Sequence, residues 1–279
     1  MSEILKVIEQ NADQLSSKQK DLAEYILRNK EKVVFMTSTE LAKLTSTSDA
    51  TINRFVKALG FSGYVDFQKT LQVEIQKDIT TLDRFSINVK TSSIDQIDKT
   101  FIRELRIINR AINDLVPEKV NNFLDMINKC SNVYIFGDRA SVSLRNYMSY
   151  SLGKIFPSVT EVTYWDEKIY KNIKFNEKPL CILFSFPRYP RLINKIAKDL
   201  HKENIDIVSF TDNPITEVAK LSKLAFIISF EMVTFIDPYA ACMCLIHGLI
   251  NMIAVSDPKR TEKCLSMFEK YAKEYEIFD

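Results

Sequence analysis

Between Ser48 and Leu59 the chain reads SDATINRFVKAL, and its polar and apolar residues separate by spacing. Ile52, Phe55, Val56 and Leu59 recur at i, i+3, i+4 and i+7, which turns one face of a helix inward. Asp49, Ala50, Asn53, Arg54 and Lys57 are left outside, with Ser48 and Thr51 near the exposed N-terminal end. Small polar side chains at a helix start let the backbone approach base edges in a DNA groove, and Arg54 and Lys57 are suited to phosphates. Upstream, the segment Ser38 to Leu44 is predicted to form a short helix capped by Ser38 or Thr39, with Thr45-Ser46-Thr47 as the turn. A short helix, a turn and a second helix with a polar start is helix-turn-helix geometry. An ordinary helical hairpin with a solvated face fits the same spacing. Charge does not choose between them, because residues 1–78 hold 11 Lys/Arg against 11 Asp/Glu.

Other chemistries are poorly supplied. The chain of 279 residues has 5 glycines, too scattered for a phosphate loop of the G-x-x-x-x-G-K-[ST] kind or a G-x-G-x-x-G turn. With two histidines and no C-x-x-C pair, a zinc site is not supported. Cys242 and Cys244 are two apart on one predicted helix and point to different sides. On that helix His247 sits among Cys244, Leu245, Leu249 and Ile250 and is expected to be buried or at an interface, while His201 is expected near a helix end as a dipole partner. No metal or cofactor is expected. Five cysteines, an odd number, without a secretory signal suggest reduced thiols and a cytoplasmic protein. The most apolar stretch, Tyr239 to Val255, is interrupted by His247 and Asn251 and falls short of the roughly 20 residues of a membrane span.

Stepping along the chain, helical periodicity dominates to about residue 115 and short apolar runs alternate with helical segments from 118 onward. The runs Val133–Gly137, Val159–Trp165, Leu180–Phe186, Ile205–Thr211 and Ala225–Phe230 read as buried strands. The expected architecture is an all-α helix-turn-helix head, residues 1–78, and an α/β domain, residues 118–279, with a five-stranded parallel sheet flanked by helices. Residues 79–117 join them as a linker, Thr80–Ser93, and a connecting helix, Ile94–Leu115.

The N-terminal segment closely resembles the DNA-binding domain of the RpiR-type bacterial transcription regulators. The matching pieces are L-S-x-x-x-K-x-L-A-x-Y-I-L at Leu15–Leu27, V-x-F-M-T at Val33–Thr37, S-x-x-T-I-x-R-F at Ser48–Phe55 and L-G-F-S-G-Y-x-D-F at Leu59–Phe67. One departure stands in the turn, where the family often has Gly-Val and this chain has Ser46-Thr47. The resemblance implies binding of double-stranded DNA at a palindromic operator through Ser38, Thr39, Ser48, Asp49, Thr51, Asn53, Arg54 and Lys57. It also implies a C-terminal sugar isomerase (SIS) domain, a phosphosugar-binding parallel sheet, and a homodimer or homotetramer, for which the helix from Pro238 to Val255 is the candidate interface.

In that family one strand ends in G-x-G-x-S and a later one in S-x-S-G-x-T, and together they bind a phosphate. Here the first reads Gly137-Asp138-Arg139-Ala140-Ser141 and the second Ser185-Phe186-Pro187-Arg188-Tyr189-Pro190. Gly137, Ser141 and Ser185 match; Arg139 and Arg188 replace glycines, and Pro187 and Pro190 remove hydroxyls and amides. Guanidinium groups bind phosphate bidentately, so the site is altered, not erased. Three readings stay open: an anionic effector on Arg139, Ser141, Ser185 and Arg188; a different ligand stacked on Tyr189; or a domain kept for oligomerisation, its arginines solvated or paired with acids such as Asp138. Glu231 either accepts sugar hydroxyls across the crevice or caps a strand end. SIS domains also occur in aldose–ketose isomerases, whose chemistry needs a base near neutral pH, and Glu231 is the one acid to nominate. The DNA-binding head favours a regulator over an enzyme.

Overall fold

The helical first third forms a unit of its own, Met1–Asp83, separate from Arg84–Asp279. The computed structural model describes residues 3–11, 15–34, 36–68, 70–71, 80–82, 85, 93–230 and 235–278. The expected linker Thr80–Ser93 and the candidate residue Glu231 therefore lie mostly and wholly, respectively, outside the described residues.

In the first unit, helices α1 (Glu3–Gln10), α2 (Ser17–Arg28), α3 (Lys30–Val33), α4 (Ser38–Leu44) and α5 (Asp49–Ala58) surround one apolar core. Ile52, Phe55, Val56 and Leu59 are all buried in it, as their spacing requires. Phe67 meets Phe55 and Phe61 edge-on, with centroids 6.5 and 5.4 Å apart. The Gly-Phe-Ser-Gly-Tyr segment gains its meaning here. Asp66 accepts from the Ser62 amide at 3.0 Å, and Tyr64 and Gln68 donate to the Met36 carbonyl at 3.0 and 2.9 Å. These bonds fix the chain immediately before α4.

The cap of α4 is Thr37, not Ser38 or Thr39. Thr37 is extended, its hydroxyl accepts from the Glu40 amide at 3.2 Å, and the Glu40 carboxylate accepts from the Thr37 amide at 2.7 Å. Only Thr37 stands three residues before a glutamate, the spacing of a reciprocal capping box. Ser48 caps α5 as expected, its hydroxyl accepting from Thr51 N–H at 3.2 Å. The turn between the helices is a Schellman motif: Thr47 N–H reaches the Ala42 carbonyl at 2.9 Å and Ser46 N–H the Lys43 carbonyl at 3.4 Å. The same motif ends α5, with Gly60 at φ 90°. In the first motif Ser46 holds φ 52°, the left-handed conformation that glycine adopts without a Cβ penalty.

The second unit is a doubly wound sheet. Its strands are β1 (Asn132–Gly137), β2 (Val159–Val162), β3 (Pro179–Phe184), β4 (Asp206–Thr211) and β5 (Leu224–Ile227), all parallel in the order β2-β1-β3-β4-β5. β2 is an edge strand and ends three residues before the expected Trp165, whose ring leaves the ladder to meet Phe136 edge-on at 5.9 Å. Continuous apolar runs cover both faces, as burial on two sides demands. On one face α6 (Ser93–Asp114), α7 (Pro117–Lys129), α8 (Val142–Gly153) and α12 (Ala240–Ser256) pack over Val133, Ile135, Ile182 and Phe184. On the other, α10 (Arg191–Lys202) lays Ile193, Ile196, Ala197 and Leu200 on Tyr134, Phe136, Cys181 and Leu183. Two short helices, α9 (Glu167–Lys174) and α11 (Glu217–Leu221), complete the windings, and α13 (Pro258–Glu274) follows α12.

The expected connecting helix is α6. It packs Ile107 into the core beside α12, with Ile108 and Ala111 alongside, and leaves Ile97, Phe101, Leu105 and Ile112 more than half exposed. His247 of α12 is exposed in the single chain, not buried.

Replacing Ser46 by glycine removes a Cβ from a left-handed position. Ser46→Gly is expected to stabilise the N-terminal unit by about 1 kcal/mol, and Ser46→Val to destabilise it by at least as much. Chemical denaturation followed by far-ultraviolet circular dichroism on the full chain reads both.

Candidate functional site

The chain order β2-β1-β3 reverses direction between β1 and β3, and a crevice at the carboxyl ends of strands opens at such a switch point. The loops after β1 and β3 are therefore neighbours: Gly137 at the end of β1 is in register with Phe184 at the end of β3. The candidate residues Gly137, Arg139, Ser141, Ser185, Arg188 and Tyr189 all lie on these two loops.

After β1 the chain turns at once into a short 3-10 helix, Arg139–Ser141, capped by Asp138, whose carboxylate accepts from the Arg139 amide at 2.8 Å. Asp138 thus serves the backbone of Arg139 rather than its guanidinium. A Cβ on Gly137 would stand 2.6 Å from the Ser141 carbonyl oxygen, so the tight return is possible only with glycine. Arg139 holds φ 57° and its side chain is exposed. Ser141 is buried, with its hydroxyl 3.2 Å from the Tyr239 hydroxyl.

After β3, Tyr189 N–H closes onto the Phe186 carbonyl at 2.8 Å, making a four-residue turn with Pro187 and Arg188 at its centre. Proline followed by a residue of positive φ is the signature of a type II turn, whose third position normally requires glycine. Arg188 occupies it at φ 71°, and Tyr189 follows at φ 25°. Ser185 is fully buried, and among the described residues its Oγ meets no hydrogen-bond partner. An unpaired buried hydroxyl costs about 1–3 kcal/mol, and among the described residues Ser149 and Ser209 carry unpartnered buried hydroxyls as well.

Two residues not anticipated from sequence hold these loops. Arg145 of α8 is buried; its Nη1 donates to the carbonyls of Gly137 at 2.9 Å and Val162 at 3.3 Å, and its Nε pairs with Glu161 at 3.0 Å. It ties the ends of β1 and β2 together. Its place one and two helical turns before Ser149 and Leu152, on the inward face of α8, was the available signal. Asp212, just after β4, accepts from the Tyr189 hydroxyl through both carboxylate oxygens, at 3.0 and 3.2 Å. Burial pushes the Asp212 pKa up to about 6, although the Tyr189 and Thr211 hydroxyls pull the other way. The Tyr189 ring is half-buried, and its hydroxyl is committed to this contact.

In the N-terminal unit Asp49, Arg54 and Lys57 are exposed along α5, with Thr51 and Asn53 half-exposed and Ser38 and Thr39 in the first turn of α4. Asn53 donates to the Asp49 carboxylate at 3.1 Å, and Arg54 Nε to the Ala50 carbonyl at 3.3 Å, so both side chains lie along the helix surface. Among the described residues no cluster of histidine, cysteine and carboxylates could hold a metal ion, and no single helix is long and apolar enough to cross a membrane.

Comparison with known proteins adds two family matches. Residues 2–78 match the helix-turn-helix domain of the rpiR family, and residues 126–252 match the SIS domain. An uncharacterised HTH-type transcriptional regulator of Clostridium perfringens is 23% identical over 220 residues, 78% of this chain and 79% of the relative. The HTH-type transcriptional regulator HexR of Escherichia coli is 20% identical over 225 residues, 80% and 76% of the two chains. Among solved structures, the Vibrio vulnificus NanR protein complexed with ManNAc-6P superposes with TM-score 0.59 at 20% identity over 98% of both chains. The sugar isomerase domain of an RpiR transcription factor from Sphaerobacter thermophilus gives 0.58 at 17% identity, over 62% of this chain and 97% of that one. Likeness at this level establishes the fold.

The raised Asp212 pKa fixes the sign of a pH effect. The folded state binds this proton more tightly than an unfolded aspartate near 3.8, so the contribution to stability is complete below pH 3.8 and is lost as pH rises through about 6. Asp212→Asn keeps an acceptor for Tyr189 without the buried charge. It is expected to raise stability at pH 7.5 by on the order of 2 kcal/mol and to flatten the pH 4–6 region of the melting profile.

Proposed function

Because this chain belongs to the rpiR family of helix-turn-helix proteins and carries a SIS domain, we propose that it is a transcriptional regulator whose DNA binding is controlled by an anionic sugar phosphate. The observation that carries the effector reading is the pair of neighbouring loops in which Arg139 and Arg188 occupy left-handed positions beside the unpaired Ser185 hydroxyl. Glycine in such loops brings amides close to a phosphate; arginine keeps the backbone path and adds a fixed positive charge with a planar donor fork. NanR, which shares the fold, is complexed with ManNAc-6P, and the chemistry of these loops suits a ligand of that class.

In this reading α5 enters the major groove with Ser48, Thr51 and Asn53 toward base edges, while Arg54 and Lys57 take phosphates; Ser38, Thr39 and Asp49 line the same approach. The balanced charge of residues 1–78 makes one head a weak binder, so two or four copies reading a palindrome supply the affinity. The exposed apolar row Ile97, Phe101, Leu105 and Ile112 on α6 gives a more open pairing face than α12, most of whose apolar residues serve its own core. Catalysis is not the proposed role. His201 faces the Leu221 carbonyl at 3.2 Å and His247 lies on α12, so neither accompanies the two loops as a base. The protein would act in the cytoplasm, where its operator and effector meet.

Thermal-shift measurement against a panel of hexose and amino-sugar phosphates tests the effector reading. At least one member is expected to raise the melting temperature by several degrees, the parent sugars without phosphate to do nothing, and Arg139→Ala to abolish the shift. A flat panel overturns it. Gel shift on the DNA upstream of the protein's own operon tests the other half: Arg54→Ala should weaken binding and reduce the slope of log K against log salt by about 1. Sugar-phosphate turnover without any gel shift would instead make the chain an enzyme.

A further inference from the structure

Both candidate loops end on one residue outside every motif, Tyr239. Its hydroxyl lies 3.2 Å from Ser141 Oγ and donates to Asp237 Oδ2 at 3.4 Å. Its ring packs against Phe186, which follows Ser185 in the second loop, with centroids 5.4 Å apart, and against Phe230 at 5.7 Å. Phe186 and Phe230 are themselves stacked at 4.6 Å and 14°. Burial raises the pKa of this phenol well above its ordinary value, so it remains a donor at physiological pH.

Tyr239 is also the residue that precedes α12. The next amide, that of Ala240, faces the carboxyl group of Glu104 on α6. Burial raises the Glu104 pKa, Arg103 and the Ala240 amide lower it, and Oε2 is buried without a partner among the described residues. Behind this contact Ile107, Ile108 and Ala111 of α6 pack into the core that α12 shares. Among the described residues α6 is the first full helix after the N-terminal unit in chain order.

With Tyr239 donating to Asp237, its oxygen is free to accept the single proton of Ser141. An anion entering the loops competes for that proton. Ser141 O–H turns from Tyr239 to the ligand, and the Tyr239 hydroxyl can then turn toward Ser141 Oγ and leave Asp237. No covalent bond changes; two hydroxyl rotors do.

We infer that Tyr239 is the positioning residue of this anion site: it holds Ser141 and Phe186 in register and transmits occupancy of the loops to the start of α12 and, through the packing of α6 against α12 around Glu104 and Ile107, to α6. The inference rests on the anion-site reading above, but its first test needs no ligand.

Hydrogen exchange on the full-length protein decides it. Tyr239→Phe and Ser141→Ala remove the same hydrogen bond, so each is expected to speed exchange of the α6 amides around Glu104 by about fivefold, and the double variant no further. Change confined to residues near 141 and 239, or additive effects in the double variant, overturns the relay. Glu104→Gln supplies a second arm that leaves both loops intact, with inorganic phosphate as the probe. Phosphate should protect residues 137–141 in wild type and Glu104→Gln alike, and protect α6 in wild type only. Protection of α6 that persists in Glu104→Gln contradicts the inference. If phosphate protects neither region of wild type, the anion-site reading fails, and the ligand-free comparison still decides the role of Tyr239.

Discussion

A left-handed backbone at three positions occupied by side-chain-bearing residues is the constraint on which both halves of this protein depend. Ser46, Arg139 and Arg188 stand at φ 52°, 57° and 71°. Each carries a Cβ in a region that costs an ordinary L-residue roughly 1–2 kcal/mol. The conformation persists because the surroundings leave no other path. Two crossed hydrogen bonds close the Schellman turn around Ser46, the Asp138 cap and the glycine-only return at Gly137 fix Arg139, and Pro187 with the Phe186–Tyr189 hydrogen bond fixes Arg188. Where the backbone path is set by neighbours, a side chain can stand at a position that glycine would occupy without strain, and in the two candidate loops that side chain carries a guanidinium.

Around these points the structure separates rigidity from charge. Arg145 and Asp212 are buried or nearly so, and each makes contacts that brace backbone or aromatic groups; neither is available to a ligand without breaking those contacts. Arg139, by contrast, projects from its loop into solvent. The sheet makes this division possible. Its continuous apolar strands lock β1 and β3 side by side, so that two short loops separated by more than forty residues in sequence lie next to each other at the carboxyl ends of the strands. Tyr239, from a third segment, then closes the floor between them.

Much of this was legible in the sequence, for reasons that differ by element. The stripe Ile52, Phe55, Val56 and Leu59 is a local periodicity, and local periodicity survives folding because burial is its cause. The order of five apolar runs with helices between them constrains a parallel sheet in the same way. The cap of α4 was legible too: Glu40 stands three residues after Thr37 alone, the spacing of a reciprocal capping box, and the expectation of Ser38 or Thr39 passed over it. The early end of β2 follows from its edge position, which depends on strand order and not on the strand's own residues. Arg145, Asp212 and Tyr239 were missed because each acts across 8 to 98 residues of sequence. Helical spacing placed Arg145 on an inward face, but nothing in the sequence names the distant partners of these three residues before the sheet brings them together.

On the proposed reading, arginine at positions 139 and 188 makes the two loops charge-lined anion binders at a cost in backbone strain. Calorimetric titration of the Arg139→Gly/Arg188→Gly double variant with the sugar phosphate that most stabilises wild type tests it directly, beside a denaturation curve of the unliganded protein. The expected result is a more stable unliganded protein that binds the sugar phosphate at least tenfold more weakly, by the loss of two charge-assisted contacts. A double variant that binds as tightly as wild type, or more tightly, would contradict it.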